Sequence, residues 1–294
     1  MAKIGIIGIG NMGSAILKGL LHVYGKGDII FTDVNEEKCE EITEETGVTH
    51  VGSNAECANQ AKYIILAVKP QYFDPVLKNI RNVVTEANVI ISIAPGITIG
   101  QLKEKLGIEK RVVRAMPNTP ALVREGMTAL CANNLVSEES FAWVQALFAT
   151  CGRVEVIPES LMGAAGTVSG ASPAWVYMLI EAMADGAVRD GMPRAQAYKF
   201  AAQAVQGAAK MVLESGLHPG ELKDQVTSPG GTTIEAVRVL EERGFRGAVI
   251  DAMGACTAKN DCIAAKAASA VATKKEAQAQ EPGALSNLFR ALKG

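Results

Sequence analysis

Histidine is scarce: three in 294 residues, His22, His50 and His218, all far apart. The six cysteines (Cys39, Cys57, Cys131, Cys151, Cys256, Cys262) include no CxxC pair. That spacing argues against a zinc site, and in a reducing compartment such thiols simply fill small core or surface positions. Neither charge sign dominates, with 29 Lys+Arg against 31 Asp+Glu and a formal net charge of −2. A general nucleic-acid binder needs a basic face to neutralise phosphates, so nucleic acid is not an expected partner. No apolar run approaches the roughly eighteen residues of a membrane span, so no membrane partner is expected. The opening MAKIGIIGIG has one lysine and then glycines, which reads as a strand entering a turn and not as a signal peptide. A cytoplasmic location is the expectation.

What is present is an ordinary globular composition, 48% apolar and 20% charged, long enough for one large or two modest domains. Over residues 1–158, short β-branched runs alternate with helical stretches. Strands are expected at Lys3–Ile7, Asp28–Asp33, Tyr63–Val68, Val89–Ile93, Arg111–Ala115, Met127–Cys131 and Arg153–Val156. Helices are expected at Met12–Tyr24, Glu36–Thr46, Pro75–Val83, Ile99–Leu106 and Glu138–Thr150. Such alternation indicates βαβ units: a Rossmann-type α/β domain with a parallel sheet and helices on both faces. From about Pro158 the β-branched runs vanish, and 172–190, 194–215, 219–226, 233–243 and 246–272 read as helices. Residues 159–272 are thus expected to be an all-α domain. Its alanine-rich helices suit close approach in a bundle interior or a subunit interface. In the tail, 273–294, Pro282-Gly283 breaks the chain, and Leu285, Leu288, Phe289 and Leu292 form one stripe. That stripe reads either as incidental to a frayed end or as a short helix docking on a neighbouring subunit.

Gly8-Ile9-Gly10-Asn11-Met12-Gly13 matches G-x-G-x-x-G in the context that gives the match meaning: after a strand, opening a helix, with an acid about twenty residues on. Gly8 permits the tight turn, Gly10 lets backbone approach a pyrophosphate at a helix N-terminus, and Gly13 lets the helix pack on the sheet. Asp33 is the acid. Facing a ribose 2′-hydroxyl it would favour NAD over NADP; alternatively it caps the loop before the Glu36–Thr46 helix.

Three proline-containing loops sit at strand C-terminal ends, the edge where open sheets bind ligands: Ala67-Val68-Lys69-Pro70, Ala94-Pro95-Gly96 and Met116-Pro117-Asn118-Thr119-Pro120. Asn54, before a helix, suits an N-cap or a partner for the adenosine half. Asn118 offers amide hydrogen bonds to a nicotinamide carboxamide. In the helical half, Asp224 to Ile234 (DQVTSPGGTTI) runs glycines and hydroxyls straight into a helix. The run reads as a nest of N–H groups for a carboxylate, or as a loop in which Thr232 or Thr233 caps the helix.

GIIGIGNMG, SNAE, LAVKPQ, SIAPGITI, RAMPNTPA, SGASPAW and above all DQVTSPGGTTIEA resemble pyrroline-5-carboxylate reductase, in register from about Lys3 to Cys262. The resemblance implies NADPH- or NADH-dependent reduction of L-1-pyrroline-5-carboxylate to L-proline. It also implies a homodimer interlocked through the helical domain, and often a ring of dimers. Carried over by motif, cofactor contacts fall on Ile9, Gly10, Asn11, Met12, Asn54, Val68, Lys69 and Ala94. Substrate carboxylate contacts fall on Gly230, Gly231, Thr232 and Thr233. Where the family usually reads SGSGPAY, this chain reads Ser169-Gly170-Ala171-Ser172-Pro173-Ala174-Trp175, and an Asp-Ala pair before it reads Gly163-Ala164.

A protonated cyclic imine is already electrophilic, so positioning should dominate and no strong general acid is required. Thr233 is the expected catalytic residue, holding the ring nitrogen directly or through water. An alternative is a hydroxy-acid dehydrogenase of the 3-hydroxyisobutyrate or 6-phosphogluconate type, which needs a base. Its candidates, Lys199, Lys210 and Lys223, have the spacing of a solvated helix face. A non-catalytic redox sensor on the same fold would bind cofactor without turnover.

Overall fold

The computed structural model describes residues 2–107 and 109–279. The first half builds β1 (Ala2–Ile7), α1 (Asn11–Leu20), β2 (Ile29–Thr32), α2 (Glu36–Thr46), β3 (Thr49–His50), α3 (Asn54–Gln60), β4 (Ala61–Leu66), α4 (Phe73–Ile80), β5 (Val89–Ser92) and α5 (Ile99–Leu106). It closes with β6 (Arg111–Met116), β7 (Gly126–Ala132), α6 (Glu138–Ala149) and β8 (Gly152–Val156). All eight strands form one sheet, in the order β3-β2-β1-β4-β5-β6-β7-β8.

Consecutive apolar residues explain why the sheet must be covered twice. Ile64 and Ile65, Ile90 and Ile91, and Val112 and Val113 point to opposite faces, and all are buried. One face packs Ile4, Ile6, Ile65 and Ile91 against Ile16 and Leu17 of α1 and Val144 and Phe148 of α6. The other packs Ile7, Ile64 and Ile90 against Phe73 and Leu77 of α4 and Leu102 of α5. This is the two-sided burial of a doubly wound sheet.

The sheet departs from the expected all-parallel arrangement at one pair, since β7 runs antiparallel to β6. Only residues 117–125 connect them, fewer than the dozen or so that a parallel crossover needs, and part of that link is a tight turn at Thr119–Val123. α6 then provides the longer link that returns β8 parallel to β7. The two-residue β3 escaped the sequence pattern because Thr49–His50 is too short to show alternation. α1 stops at Leu20, four residues before Tyr24; beyond it the bonds shorten to turns such as Val23 N–H to Leu20 O.

The helical half contains α7 (Met162–Ala165), a π-helical turn at Gly166–Ala171, α8 (Ser172–Arg189), α9 (Arg194–Ser215), α10 (Pro219–Gln225), α11 (Thr232–Glu242) and α12 (Phe245–Ala279). α12 continues seven residues past the expected end at 272, because Lys274 to Ala279 are helix formers with no breaker before Pro282. The Leu285–Leu292 stripe lies outside the described residues.

Within a single chain this half has little core. Of α8 and α9, only Ala184, Ala197 and Ala201 are buried, whereas Phe200 is 67% and Ile250 68% exposed, with Tyr177, Met178, Met211 and Leu213 also open. Large apolar side chains exposed in this number fit an association face. Phe200→Glu is therefore expected to weaken self-association, read as a lower sedimentation coefficient at low micromolar concentration and a lower thermal midpoint.

Candidate functional site

The turn between β1 and α1 is built by close approach. Gly8 has φ +98°, and a Cβ there would lie 2.8 Å from the Ala67 carbonyl oxygen and 2.9 Å from Val68 Cγ1. A Cβ on residue 13 would lie 2.1 Å from the Gly8 carbonyl oxygen, so α1 packs directly on the turn. Gly10 differs from both: nothing lies within 4 Å of its missing Cβ. It is the N-cap of α1 and brings no side-chain cap. The first-turn N–H groups have no partner inside the helix, stand at its positive end and receive no side-chain cap from Gly10. Ser14 Oγ donates to the Ile9 carbonyl at 2.8 Å and fixes the turn from within. The cradle fits a dinucleotide pyrophosphate.

Asp33 has a structural task that the sequence left undecided. Its Oδ2 accepts from the Ile9 N–H at 2.7 Å and its Oδ1 from the Asn35 N–H at 3.1 Å. Asn35 in turn caps α2 by accepting from the Lys38 N–H at 3.0 Å. The acid thus ties the glycine turn to the next helix. Two of about four carboxylate lone pairs are used, leaving acceptors for a ribose hydroxyl.

The neighbouring strand ends gather at the same edge. The Ala67 N–H donates to the Ile7 carbonyl at 2.8 Å; Ala67 and Val68 are half-buried and Lys69 is exposed. Ala94, just past β5, is buried, with its N–H 3.4 Å from Ser92 Oγ. Ser53, not Asn54, caps α3, by accepting from the Glu56 N–H at 3.1 Å. Asn54 is the first helical residue.

Asn118 has a structural task beside the expected one. Its Oδ1 accepts from the Met127 N–H at 2.8 Å and its Nδ2 donates to the Ser169 carbonyl at 2.9 Å, and the side chain is buried. The amide joins the end of β6 to β7 and to the π-helical turn, and keeps one N–H and one oxygen lone pair beyond these two bonds. That turn ends at Ala171, where the Ala171-Ser172 departure from SGSGPAY begins. Such turns often occur at functional sites.

In the helical half, Gly230 has φ +68°, and the Gly231 N–H donates to the Ser228 carbonyl at 3.1 Å. A Cβ on residue 231 would lie 2.4 Å from Ser228 Oγ. Gly231 is the N-cap of α11, again without a side-chain cap. Neither Thr232 nor Thr233 caps the helix, contrary to the capping alternative; they are its first two residues, and both are exposed. The loop's polar side chains are otherwise tied locally, Thr227 Oγ1 donating to the Lys223 carbonyl at 3.0 Å. Lys210 lies 3.7 Å from Glu214, Lys223 pairs with Asp224 at 2.5 Å, and Lys199 is exposed, so none is placed as a base.

Two polar clusters escaped the sequence reading. Thr167, 1% exposed, lies 3.3 Å from the Thr257 hydroxyl and 3.5 Å from Asn260 Nδ2, linking the π-helical turn to α12. Arg114 is buried in β6 and pairs with Glu159. The available signal was a charged residue inside the apolar run Arg111–Met116. Burial pushes the Cys57 thiol up to about 12, and burial with the Glu159 carboxylate nearby pushes Cys131 up to about 11, so neither is a thiolate at neutral pH. No helix among the described residues is long and apolar enough to cross a membrane.

Comparison with known proteins follows the same division of the chain. The profile described as pyrroline-5-carboxylate reductase dimerisation matches residues 159–262, and that described as NADP oxidoreductase, coenzyme F420-dependent, matches 3–96. The pyrroline-5-carboxylate reductase of Escherichia coli is 52% identical over 262 residues, covering 88% of this chain and 97% of that protein. That of Methanosarcina acetivorans is 42% identical, covering 85% and 94%. The crystal structure of Plasmodium falciparum pyrroline carboxylate reductase with NADP bound is 33% identical with a TM-score of 0.80, covering 90% of this chain and 98% of that one.

The contrast between two glycines is testable. Gly8→Ala should cost about 1–3 kcal/mol in folding stability from backbone strain alone. Gly10→Ala should leave the thermal midpoint nearly unchanged but weaken NADH and NADPH binding at least tenfold, as followed by cofactor fluorescence titration.

Proposed function

The chain belongs to the pyrroline-5-carboxylate reductase family, and from that premise we propose how its own residues share the reduction of L-1-pyrroline-5-carboxylate to L-proline. The reaction is the last step of proline biosynthesis and uses NADPH or NADH. One observation carries the assignment of roles. Each half of the molecule has a helix, α1 or α11, whose N-cap is a glycine with no side-chain cap, leaving first-turn N–H groups for an anion.

At α1, Gly8 to Gly13 with Ile9, Asn11 and Met12 would hold the pyrophosphate. Asn54, Ala67, Val68, Lys69 and Ala94 would line the rest of the dinucleotide site, and Asp33 would accept from the ribose. The bound dinucleotide supplies a hydride. At α11, the Gly230 and Thr232 amides hold the substrate carboxylate and so fix which face of the ring is presented, with Gly231, whose own N–H is bonded to the Ser228 carbonyl, letting the carboxylate approach the backbone. The Thr233 hydroxyl accepts from the protonated ring nitrogen, directly or through water, and keeps the proton on that atom. The imine carbon gains the hydride, and the nitrogen retains its proton as the product amine. No residue has to remove a proton, in keeping with exposed or paired lysines where a hydroxy-acid dehydrogenase would need a base.

The 159–262 dimerisation region supports association of the chain with itself. We take the assembly to be a homodimer, extended into a ring of dimers, and the location to be cytoplasmic, where the free, mostly buried cysteines would stay reduced.

Thr233→Ala should lower kcat/KM for pyrroline-5-carboxylate by about 10- to 1000-fold, the cost of roughly 1.5–4 kcal/mol for one hydrogen bond to a charged group. Undiminished turnover would remove Thr233 from the mechanism. Asp33→Ser should shift the NADPH/NADH preference toward NADPH; an unchanged ratio of the two kcat/KM values would mean the carboxylate serves the turn alone.

A further inference from the structure

Arg114 occupies the middle of β6, next to Ser92 of β5 and Cys131 of β7 in strand register. Its side chain is 7% exposed. Nη1 reaches Glu159 Oε1 at 3.2 Å, while Nε is buried without any partner. A buried guanidinium with an orphaned donor is costly, and apolar residues would fill the position more cheaply. The same Glu159 oxygen also accepts from the Ile99 N–H at 2.7 Å. Ile99 is the first residue of α5 and ends the loop that leaves β5 through Ala94, Pro95 and Gly96. The remaining bonds at that helix start are internal, a reciprocal capping box between Thr98 and Gln101. Glu159 therefore ties the end of the 94–98 loop by a hydrogen bond to a distant part of the chain, beside the apolar packing of Ala94 and Ile97. It sits just before the helical half, three residues ahead of Met162, which is fully buried against the sheet.

We propose that Glu159 is a positioning residue for the reaction, holding the Ile99 N–H and thereby the 94–98 loop at the cofactor edge, with Arg114 holding Glu159. The inference rests on the assignment of Ala94 to the cofactor site. Glu159 touches neither ligand in this scheme. It sets where the loop stands relative to the segment leading into the π-helical turn, which Asn118 ties at Ser169. Two anchors from β6 and its following loop thus fix the entry to the helical half. A displaced loop would spoil the alignment of donor and acceptor carbons more than dinucleotide affinity, because the glycine turn binds the pyrophosphate elsewhere.

Two variants separate positioning from mere stability. Glu159→Gln keeps an acceptor for the Ile99 N–H but strands the Arg114 charge. It is expected to lower the thermal midpoint while keeping kcat within about threefold of the parent. The double variant Arg114→Met/Glu159→Leu removes the buried guanidinium and the partly exposed carboxylate together, and with them the acceptor. It is expected to melt close to the parent, bind NADPH within about threefold by fluorescence titration, and lose kcat by about 10- to 100-fold. If kcat instead follows the thermal midpoint across both variants, or the double variant turns over at the parental rate, the pair is structural only and the proposal fails. If NADPH affinity falls in step with kcat in the double variant, the loop acts in binding and the proposal also fails. Parental turnover of pyrroline-5-carboxylate, measured alongside, tests the underlying functional reading separately.

Discussion

The cofactor edge depends on how closely α1 can approach the turn before it. With a carbonyl oxygen 2.1 Å from where a Cβ would stand, residue 13 can only be glycine. That contact sets the helix axis, and the axis sets where the unpartnered N–H groups of its first turn point. Hydrogen bonds then lock the arrangement from two sides, Asp33 to the Ile9 N–H and Ser14 to the Ile9 carbonyl. The site is thus preorganised by backbone geometry, and the positive end of a helix supplies charge complementarity to a phosphate.

The helical half repeats the device at α11, where a strained glycine turn again delivers an uncapped N-terminus. In the proposed scheme one helix end takes a pyrophosphate and the other a carboxylate, in keeping with a reaction whose electrophile needs little activation. The halves are tied by polar anchors at the π-helical turn: Asn118 from the sheet side, Thr257 and Asn260 from α12. The large exposed apolar side chains of α8, α9 and α12 show that a lone chain leaves this half incomplete.

Elements with strong local signals were legible. α2 and α5 have the boundaries that capping residues and periodicity dictate, with Asn35 and Thr98 as caps. The glycine spacing and Asp33 identified the dinucleotide turn because each position answers a local steric demand. The structural bonds of Asn118 were not legible, because an amide at a strand end looks equally suited to ligand and backbone, and its partners lie 9 and 51 residues away. The antiparallel β7 was missed because strand direction depends on connection length, which periodicity does not report. Arg114 and Glu159 went unnoticed because they are 45 residues apart and neither belongs to a motif.

The sequence by itself determined the two-part architecture, the dinucleotide turn and the family, since these rest on periodicity, glycine spacing and contiguous motifs that neighbouring residues enforce. Only the tertiary structure decided which polar groups are already spent on the protein and which remain for ligands. Satisfying a buried donor or acceptor is a three-dimensional matching problem, and the partner that settles it can stand anywhere along the chain.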